Sequence, residues 1–462
     1  MKIRLFFPIF LSLFVGVLDA ASFIQDSKNI AIIGTGYVGL ITGAGLAEIG
    51  HNVTCADIDK EKIECLKNGK MPIFEPGLED LVQKNFSDGR LHFVHDVGKA
   101  IAESQIVIIA VGTPTRKKGA DLSALNAVVE TIADHLNEYK IICIKSTVPV
   151  GTNQYVKSLL TDRVGAHVDF DVVSNPEFLR AGCAIKDFFE RTPIVLGSDS
   201  GYAMHVVENM YSPLIASGAD LIKTNFVTAE FIKYAWNAFS ATRIAYVNEI
   251  SNFCSAVGAD VETVVRGMSF SEKLLPSRCL RPGPGIGGSC LPKDTQACVT
   301  MAAKEGVDLS IIRSVIRSNQ KQKIKVVEYL NNFFENDLFG KKVAVLGLSF
   351  KPNTDDIRNS PAIEVLRSLL ELGANVKAYD PQAMENMKRI IPEAVYCQSV
   401  QEAVDRVDAV VLLTDWKDFK SLDLDIFESS DVQPVIIDGR NMWNPGELKR
   451  RGFAFVNMGR QI

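Results

Sequence analysis

The sequence has no excess of basic residues, no CxxC cysteine pairs and no apolar run long enough for a confident membrane span. Its 50 basic and 55 acidic residues give a net charge of −5, which argues against a broad nucleic-acid surface. The nine cysteines are scattered along a long chain, and their number is odd, which argues against a secreted disulfide framework. We therefore expect reduced thiols, most of them small core residues.

The chain length of 462 residues indicates two or three domains, at roughly 100 to 200 residues each. Hydrophobic residues make up 47% and charged residues 23%, which is the balance of a globular protein. At the N-terminus, Lys2 and Arg4 precede an apolar run that ends at Leu18, the outline of a signal peptide. Asp19 lies where a signal-peptide cleavage site requires a small residue. We expect an inert leader-like extension over residues 1–28 or an upstream start codon, with a working export signal or anchor as the alternative.

From Lys28 onward, short Val/Ile-rich runs alternate with helical patterns, which predicts parallel sheets with helices on both faces. This rhythm occurs twice, so the predicted fold class is α/β, with two Rossmann-like doubly wound domains joined by a long central helix. The clearest predicted strands lie at 29–33, 51–56, 105–111, 139–145, 341–348, 374–379, 408–413 and 434–437.

The central helix is predicted over 228–257, a stretch without glycine or proline. A helix of about 30 residues is about 45 Å long, enough to join two domains and expose an apolar stripe to a partner subunit. Two shorter helices with a kink are the alternative. The glycine and proline cluster at 281–292 is predicted to be a loop. The expected domains are a cofactor domain at 29–215, a central helical domain at 216–325 and a second α/β domain at 326–462.

A GxGxxG pattern, at Gly34, Gly36 and Gly39, directly follows an apolar strand and opens a helix. In that context the first glycine permits a tight turn, the second lets the backbone approach a diphosphate, and the third packs helix on strand. Asp57 ends the next strand, where an acid can bind a ribose 2′-hydroxyl, which favours NAD over NADP. A surface Asp in a turn is the alternative. Polar residues around Thr113 and Thr147 follow two later strands, at the edge where such sheets bind ligands.

Lys233 and Asn237 stand four residues apart on the central helix and so share one face. Among apolar neighbours, these two polar side chains need a polar partner, and a substrate oxygen would serve. A lysine that extends to solvent is the alternative.

The octapeptide at 287–294 places Cys290 after two glycines and before Lys293 and Asp294. A nearby cation favours a thiolate, and a carboxylate can act as a base, so Cys290 is a candidate nucleophile. A structural cysteine is the alternative from the residues alone.

These residues lie in motifs that resemble the UDP-glucose 6-dehydrogenases, within the wider family that includes GDP-mannose and UDP-N-acetyl-mannosamine dehydrogenases. The resemblance covers about residues 29 to 460. Its motifs are GTGYVGL at 34–40, NPEFLR at 175–180, KYAWNAF at 233–239, GPGIGGSCLPKD at 283–294, FKPNTDDIR at 350–358 and IDGRN at 437–441.

The resemblance implies a four-electron oxidation of UDP-glucose to UDP-glucuronate with two NAD, through a thiohemiacetal and a thioester on Cys290. It implies no metal. The implied catalytic residues are Cys290, Lys233, Asn237, Asp294, Glu177 and Thr147. The implied NAD contacts are Gly34, Gly36, Tyr37, Val38, Gly39, Asp57, Lys62, Thr113, Thr147, Lys293 and Arg358. The implied substrate contacts are Glu177, Phe178, Leu179, Arg180, Lys233, Asn237, Arg281, Gly283, Gly287, Lys351 and Arg440.

The sequence departs from the family pattern at two places. Ala181 stands where the family often has a glutamate that meets the nicotinamide half of NAD. The stretch 268–275 lacks an Asp-x-Arg-Ile-Gly run that lends an arginine to the neighbouring subunit, for which Lys273 or Arg278 is the candidate replacement. GDP-mannose is therefore the alternative substrate.

Two other classes compete with this interpretation: a two-electron hydroxyacid-type dehydrogenase, which needs no Cys290, and a non-catalytic nucleotide sensor. The expected partners are a small-molecule nucleotide sugar and further copies of the chain in a homodimer or higher homo-oligomer, with no nucleic acid and no stable membrane association. The expected location is the cytoplasm, because NAD and nucleotide sugars are cytosolic metabolites.

Overall fold

The computed structural model describes residues 26–116, 119–165, 167–190, 192–269, 280–428 and 433–460. The prediction of a leader-like extension therefore falls almost wholly outside the described residues. The chain divides into two compact units, with the division between Lys233 and Tyr234. The three predicted domain boundaries stay a prediction.

The first unit is built on an eight-stranded sheet in the order β10-β9-β8-β7-β4-β1-β2-β3. Six of its strands are parallel and follow the 3-2-1-4-5-6 order of a doubly wound dinucleotide-binding sheet, while β9 runs antiparallel to β8. The elements are β1 (Asn29–Ile33), α1 (Tyr37–Glu48), β2 (Asn52–Ala56), α2 (Lys60–Lys67), α3 (Leu78–Ser87), β3 (Leu91–Val94), α4 (Val97–Ala102), β4 (Ile106–Ile109), the small hairpin β5 (Thr115–Arg116) and β6 (Gly119–Ala120), α5 (Ser123–His135), β7 (Lys140–Ile144), α6 (Thr152–Val164), β8 (Phe170–Ser174), α7 (Ala184–Phe189), β9 (Ile194–Gly197), α8 (Gly201–Met210), α9 (Ser212–Ala216), β10 (Leu221–Thr224) and the start of α10 (Phe226–Val257).

The second unit contains a six-stranded, fully parallel sheet in the order β13-β12-β11-β14-β15-β16, which is again 3-2-1-4-5-6. The elements after α10 are α11 (Val261–Met268), α12 (Leu291–Lys304), α13 (Ser310–Lys323), α14 (Lys325–Phe333), β11 (Lys342–Leu346), α15 (Pro361–Glu371), β12 (Asn375–Tyr379), α16 (Met384–Lys388), β13 (Val395–Tyr396), α17 (Val400–Val404), β14 (Ala409–Leu412), α18 (Lys417–Lys420), a 3-10 helix (Leu424–Phe427), β15 (Val435–Asp438), α19 (Pro445–Arg450) and β16 (Phe455–Asn457).

The central strands are buried on both faces, which explains why their sequences are continuously apolar. In β1, Ile30 and Ile32 belong to one core cluster, while Ala31 and Ile33 belong to another on the opposite face of the sheet. The eight strands predicted from apolar runs are confirmed, each within two residues of its predicted ends.

The central helix α10 is one continuous helix of 32 residues, so the alternative of two shorter helices is wrong. Its aromatic residues lie on more than one face. Tyr234 is fully buried, whereas Phe231, Phe239 and Phe253 are 50%, 57% and 65% exposed. The apolar residues of this helix therefore pack only partly into the core, and several of its aromatic side chains are exposed.

The predicted C-terminal boundary of the loop at 281–292 is wrong, because α12 begins at Leu291 and Pro292 lies in its first turn. Proline is tolerated there, since the first backbone N–H groups of a helix have no intrahelical partner. The two α/β units are otherwise as predicted. No helix in the described part of the chain is long and apolar enough to cross a membrane.

Candidate functional site

The glycine loop of the first unit has the geometry of a diphosphate site. Gly34 has φ +101°, a conformation that other residues rarely adopt. A Cβ atom at Gly39 would lie 1.8 Å from the carbonyl oxygen of Gly34, so helix and strand pack too closely for any side chain. A Cβ atom at Gly36 would meet nothing within 4 Å. Gly36 therefore leaves open space at the N-terminus of α1, where N–H groups and the helix dipole favour an anion.

Asp57 is buried, so the surface alternative is wrong. Its carboxylate accepts hydrogen bonds from the backbone N–H and hydroxyl of Thr35, both at 2.8 Å, and from Lys62 Nζ at 3.0 Å. Burial alone would raise the pKa of Asp57, but these bonds and one from the backbone N–H of Asp59 outweigh it and lower the pKa. Asp57 thus fixes the glycine loop and stays ionised beside it.

Two predicted residues meet at the carboxyl ends of β4 and β7. The Thr113 hydroxyl donates to the carbonyl oxygen of Thr147 at 2.6 Å. The strand order of this sheet reverses between β1 and β4, next to the glycine loop. Ligands of such sheets bind at this switch point, so the fit of an NAD-type cofactor rests on the open Gly36, the uncapped α1 and these loops.

Glu177 and Lys233 form an ion pair inside the first unit. Glu177 Oε1 lies 3.3 Å from Lys233 Nζ, and the two side chains are 6% and 4% exposed. Glu177 Oε2 accepts from the backbone N–H of Leu179 at 2.5 Å, and the Lys233 ammonium stands 5.2 Å from the centroid of the Phe178 ring. The lysine therefore does not extend to solvent, and that alternative is wrong.

Arg180, another predicted substrate contact, forms a bidentate ion pair with Asp187, at 2.9 and 2.6 Å, and its side chain is 68% exposed. Nearby, the backbone N–H of Gly182 donates to the Tyr37 hydroxyl at 3.0 Å. This bond ties the segment that follows NPEFLR, including Ala181, to the first turn of α1.

In the second unit, two predicted residues contact a third, Asp294, which is 1% exposed. Asn237 Nδ2 donates to Asp294 Oδ2 at 2.6 Å, and Lys293 pairs with Asp294 Oδ1. The carboxylate is thus held between an amide and an ammonium, and both of its oxygens accept hydrogen bonds. These two contacts offset the cost of burying a polar group at this position.

Cys290 is exposed and forms the N-cap of α12, a helix of 14 residues. A helix N-terminus favours a thiolate. The preceding loop is tied to a second segment, because Gly288 N donates to the carbonyl oxygen of Arg358 at 2.8 Å and Asn359 Nδ2 donates to the carbonyl oxygen of Gly288 at 3.1 Å. A hydrogen bond to Asp356 is the main cause that raises the pKa of Arg358, and the Cys290 charge adds to it. An arginine charge therefore lies in electrostatic range of the thiol.

The remaining predicted substrate residues surround the loop before Cys290. A Cβ atom at Gly283 would lie 3.0 Å from Arg440 Nη1, and one at Gly287 would lie 2.7 Å from Phe350 Cβ. Arg440 Nε donates to the carbonyl oxygen of Leu413 at 2.7 Å. The Lys351 ammonium stands 5.4 Å from the centroid of the Phe350 ring. Arg281 is exposed at the start of the loop.

Two buried charged residues of the first unit, Lys145 and Glu230, were not predicted from the sequence. Lys145 follows β7 and contacts Asn175 and Tyr211. Glu230, one turn before Lys233, accepts from the backbone N–H groups of Gly151 and Asn153 at 2.6 and 2.7 Å. The sequence offered one signal for a buried charge, because Lys145 directly follows an apolar strand and Glu230 lies within a largely apolar helix. The candidate replacements Lys273 and Arg278 lie outside the described residues.

Three family models match the chain. They are described as the NAD binding domain, the central domain and the UDP binding domain of the UDP-glucose/GDP-mannose dehydrogenase family, and match residues 28–215, 227–321 and 344–445. Each contains residues that the sequence analysis had singled out.

Individual relatives extend this similarity to nearly the whole chain. UDP-glucose 6-dehydrogenase TuaD of Bacillus subtilis is 46% identical, over 94% of this chain and 93% of its own. The structure of a UDP-glucose dehydrogenase from Pyrobaculum islandicum has a TM-score of 0.87 at 33% identity and covers 95% of this chain and 99% of its own. A UDP-D-ManNAc dehydrogenase from Pyrococcus horikoshii has a TM-score of 0.81 at 29% identity and covers 93% and 99%.

Proposed function

Because the chain belongs to the UDP-glucose/GDP-mannose dehydrogenase family, we propose that it oxidises the C6 alcohol of UDP-glucose to the carboxylate, using two NAD. The observation that carries the proposal is Cys290 at the N-terminus of α12, in a chain 46% identical to a UDP-glucose 6-dehydrogenase. A two-electron dehydrogenase has no use for an exposed cysteine in that position.

The cofactor contacts belong to a site that fits NAD. The open Gly36 and the N-terminus of α1 hold the diphosphate, and Asp57 accepts from the adenosine ribose while it keeps Thr35 in place. Tyr37, Val38, Gly39, Lys62, Thr113, Lys293 and Arg358 are the further proposed contacts. NAD bound there supplies the hydride acceptor for both oxidations.

For the first oxidation, we assign Lys233 to the C6 oxygen of the substrate. Its buried ammonium stabilises the negative charge that develops on the oxygen as the alcohol loses its proton to water and then its hydride, and Asn237 donates a further hydrogen bond. The product of this step is the aldehyde.

For the second oxidation, the Cys290 thiolate forms a C–S bond to the aldehyde carbon, which gives a thiohemiacetal. Loss of the C6 hydride from this adduct, together with loss of its hydroxyl proton to water, gives a thioester. Water then attacks the thioester carbon, the C–S bond breaks, and Cys290 leaves as a thiolate with the carboxylate released. The N-terminus of α12 and the charge of Arg358 both favour that thiolate.

For thioester hydrolysis, we assign Glu177 and Asp294 to the water, with Thr147 beside it. A buried carboxylate that keeps its charge can accept a proton from water. In the structure, Asp294 contacts Lys293 and Asn237, and Glu177 contacts Lys233, so each carboxyl group lies beside a cation.

The substrate contacts are assigned to two groups. Phe178, Leu179 and Arg180 follow Glu177, and Arg281, Gly283, Gly287, Lys351 and Arg440 surround the loop before Cys290. Arg440 and Lys351 carry the positive charge that a UDP diphosphate requires. The similarity of residues 344–445 to a UDP binding domain supports this assignment.

A homodimer is part of the proposal. Phe231, Phe239 and Phe253 expose half or more of their surface on α10, and aromatic residues are typical of the centre of an interface. We place the enzyme in the cytoplasm, where NAD and nucleotide sugars are found, without a stable membrane association and without nucleic acid.

The test is a substrate panel of UDP-glucose, GDP-mannose and UDP-N-acetyl-mannosamine with NAD, in which NADH is measured per sugar consumed. The proposal predicts the highest kcat/KM for UDP-glucose and two NADH per sugar. Faster turnover of GDP-mannose would reverse the substrate assignment, and one NADH per sugar would place the chain among two-electron dehydrogenases.

A further inference from the structure

Lys145 is a buried cation that the reaction as proposed does not use. It directly follows β7 and is 6% exposed. Its ammonium donates to Asn175 Oδ1 at 3.1 Å and to the Tyr211 hydroxyl oxygen at 3.3 Å, and stands 5.6 Å from the centroid of the Tyr211 ring. A buried lysine loses much hydration, so these contacts recover only part of its solvation.

The partner Asn175 is the first residue of the segment that carries Glu177. Asn175 Oδ1 also accepts from the Tyr211 hydroxyl at 2.8 Å, and Asn175 Nδ2 donates to the carbonyl oxygen of Val195 at 3.0 Å. Lys145, Asn175 and Tyr211 therefore form a closed hydrogen-bonded group. This group fixes the start of the segment two residues before the carboxylate that meets Lys233.

The charges around Lys145 form a buried cluster. Burial lowers the pKa of Lys145 to about 8, while attraction by Glu177 opposes this shift and repulsion by Lys233 adds to it. Cys143 on β7 also faces the ammonium, and burial raises the pKa of that thiol to about 12, so it is neutral at working pH. The other facing groups are the Tyr211 phenol, whose pKa burial raises, and Asp187, which Arg180 neutralises.

We propose that Lys145 is a positioning residue for the oxidation: it anchors the Glu177 segment through Asn175 and supplies the second positive charge of a Lys145–Glu177–Lys233 cluster. Glu177 alone would cancel the charge of Lys233. With Lys145 protonated, the cluster keeps one net positive charge, which is available when the substrate C6 oxygen becomes negative. This inference rests on the proposed function, since it needs Lys233 to meet that oxygen.

The two parts of the proposal make different demands on the side chain. An anchor alone requires hydrogen bonds to Asn175 and Tyr211, whereas the charge requires a protonated group. Arginine never loses its proton at accessible pH and methionine never carries one. The variants Lys145→Arg and Lys145→Met therefore separate charge from shape.

The experiment measures kcat and both KM values with UDP-glucose and NAD from pH 6.5 to 9.5 for the wild type and the two variants. The matched control is Lys140→Met, at the other end of the same strand, where the buried ammonium donates to the carbonyl oxygens of Ala102 and Ser104 at 3.0 and 2.6 Å. Thermal unfolding and circular dichroism report whether each variant folds. Asn175 keeps its bonds to Tyr211 and Val195 in Lys145→Met, so we expect that variant to fold.

We expect the wild-type kcat to fall above about pH 8, where Lys145 loses its proton. Lys145→Met should lower kcat at pH 7 on the order of tenfold or more, less than the loss of a group that contacts the substrate, and should lack this alkaline fall. Lys145→Arg should retain activity to higher pH than the wild type. The KM for NAD should be unchanged in all variants, and Lys140→Met should keep the wild-type profile.

A folded Lys145→Met enzyme with the wild-type kcat and pH profile would overturn the proposal. If Lys145→Met does not fold, Lys145→Arg decides: an alkaline fall in kcat at the wild-type position would overturn it. A wild type that turns over no nucleotide sugar would instead refute the proposed function. These failures are distinguishable, because only the second removes the wild-type activity.

Discussion

Glu177 and Lys233 form an ion pair from which water is nearly excluded, with 3.3 Å between Oε1 and Nζ. Removing one partner of a buried pair leaves the other charge uncompensated, at a typical cost of about 3 to 5 kcal/mol. If Lys233 is removed, the loss of folding stability should fall at or below the lower end of this range. The remaining Glu177 carboxylate still accepts from Leu179 N and is attracted by Lys145.

We predict that Lys233→Met lowers kcat by a factor on the order of 10² to 10³, the typical loss for an oxyanion donor. Steady-state kinetics with UDP-glucose and thermal unfolding measure the two effects. Lys223→Met is the control, since it removes an exposed pair with Glu208 and should change neither activity nor stability by much. A kcat equal to that of the wild type would remove Lys233 from the chemistry.

Two glycines of the glycine loop, Gly39 and Gly36, allow an effect on folding to be separated from an effect on NAD binding. Gly39→Ala should destabilise the protein, because its Cβ atom would lie 1.8 Å from a backbone oxygen. Gly36→Ala meets no protein atom within 4 Å, so it should fold normally and raise the KM for NAD. The measurements are thermal unfolding and NAD titration of both variants. Normal NAD affinity in Gly36→Ala would show that the diphosphate does not approach this residue.

Asp57→Asn should raise the KM for NAD and reduce the preference for NAD over NADP, because the ribose loses a charged acceptor and Lys62 loses its partner. The loss of binding free energy should be about 1 to 3 kcal/mol. Measured KM values for both cofactors, with Asp59→Asn as a neighbouring control, test this. A wild type that prefers NADP would contradict the assignment.

The pH dependence of stability at Asp57 follows from its lowered pKa. A carboxyl group whose pKa is lower in the folded state contributes stability above its unfolded pKa of about 3.9, and this contribution disappears as the pH falls through the folded value. The difference in unfolding free energy between wild type and Asp57→Asn should therefore be constant near neutral pH and shrink below about pH 4. Denaturant unfolding at several pH values measures it, and a difference that grows on acidification would be contrary to the lowered pKa.

The fold was predictable because its strands are continuously apolar and its glycines stand at fixed intervals. The GxGxxG pattern gave the turn at Gly34 and the packing at Gly39, since both follow from the absence of a Cβ atom. The start of α12 was not predictable from glycine and proline content, because Pro292 lies in a first helical turn, where proline is tolerated.

The residues of the candidate site were predictable only where they lie within a recognisable sequence motif. The residue types at 233, 237, 290 and 294 were found, and the structure adds that Asn237 meets Asp294. The contact between Lys145 and Asn175 joins residues 30 positions apart in sequence. Periodicity cannot reveal such a pair, because it depends on which strands become neighbours in the sheet.

The central claim is covalent catalysis by Cys290, and its most direct test is the formation of UDP-glucuronate by Cys290→Ser. Serine keeps the size of the side chain and removes the strong nucleophile. We predict that the variant binds UDP-glucose and NAD but forms no UDP-glucuronate in a product assay, whereas Cys65→Ser, at another exposed cysteine, matches the wild type. Formation of UDP-glucuronate by Cys290→Ser at the wild-type rate would contradict the account.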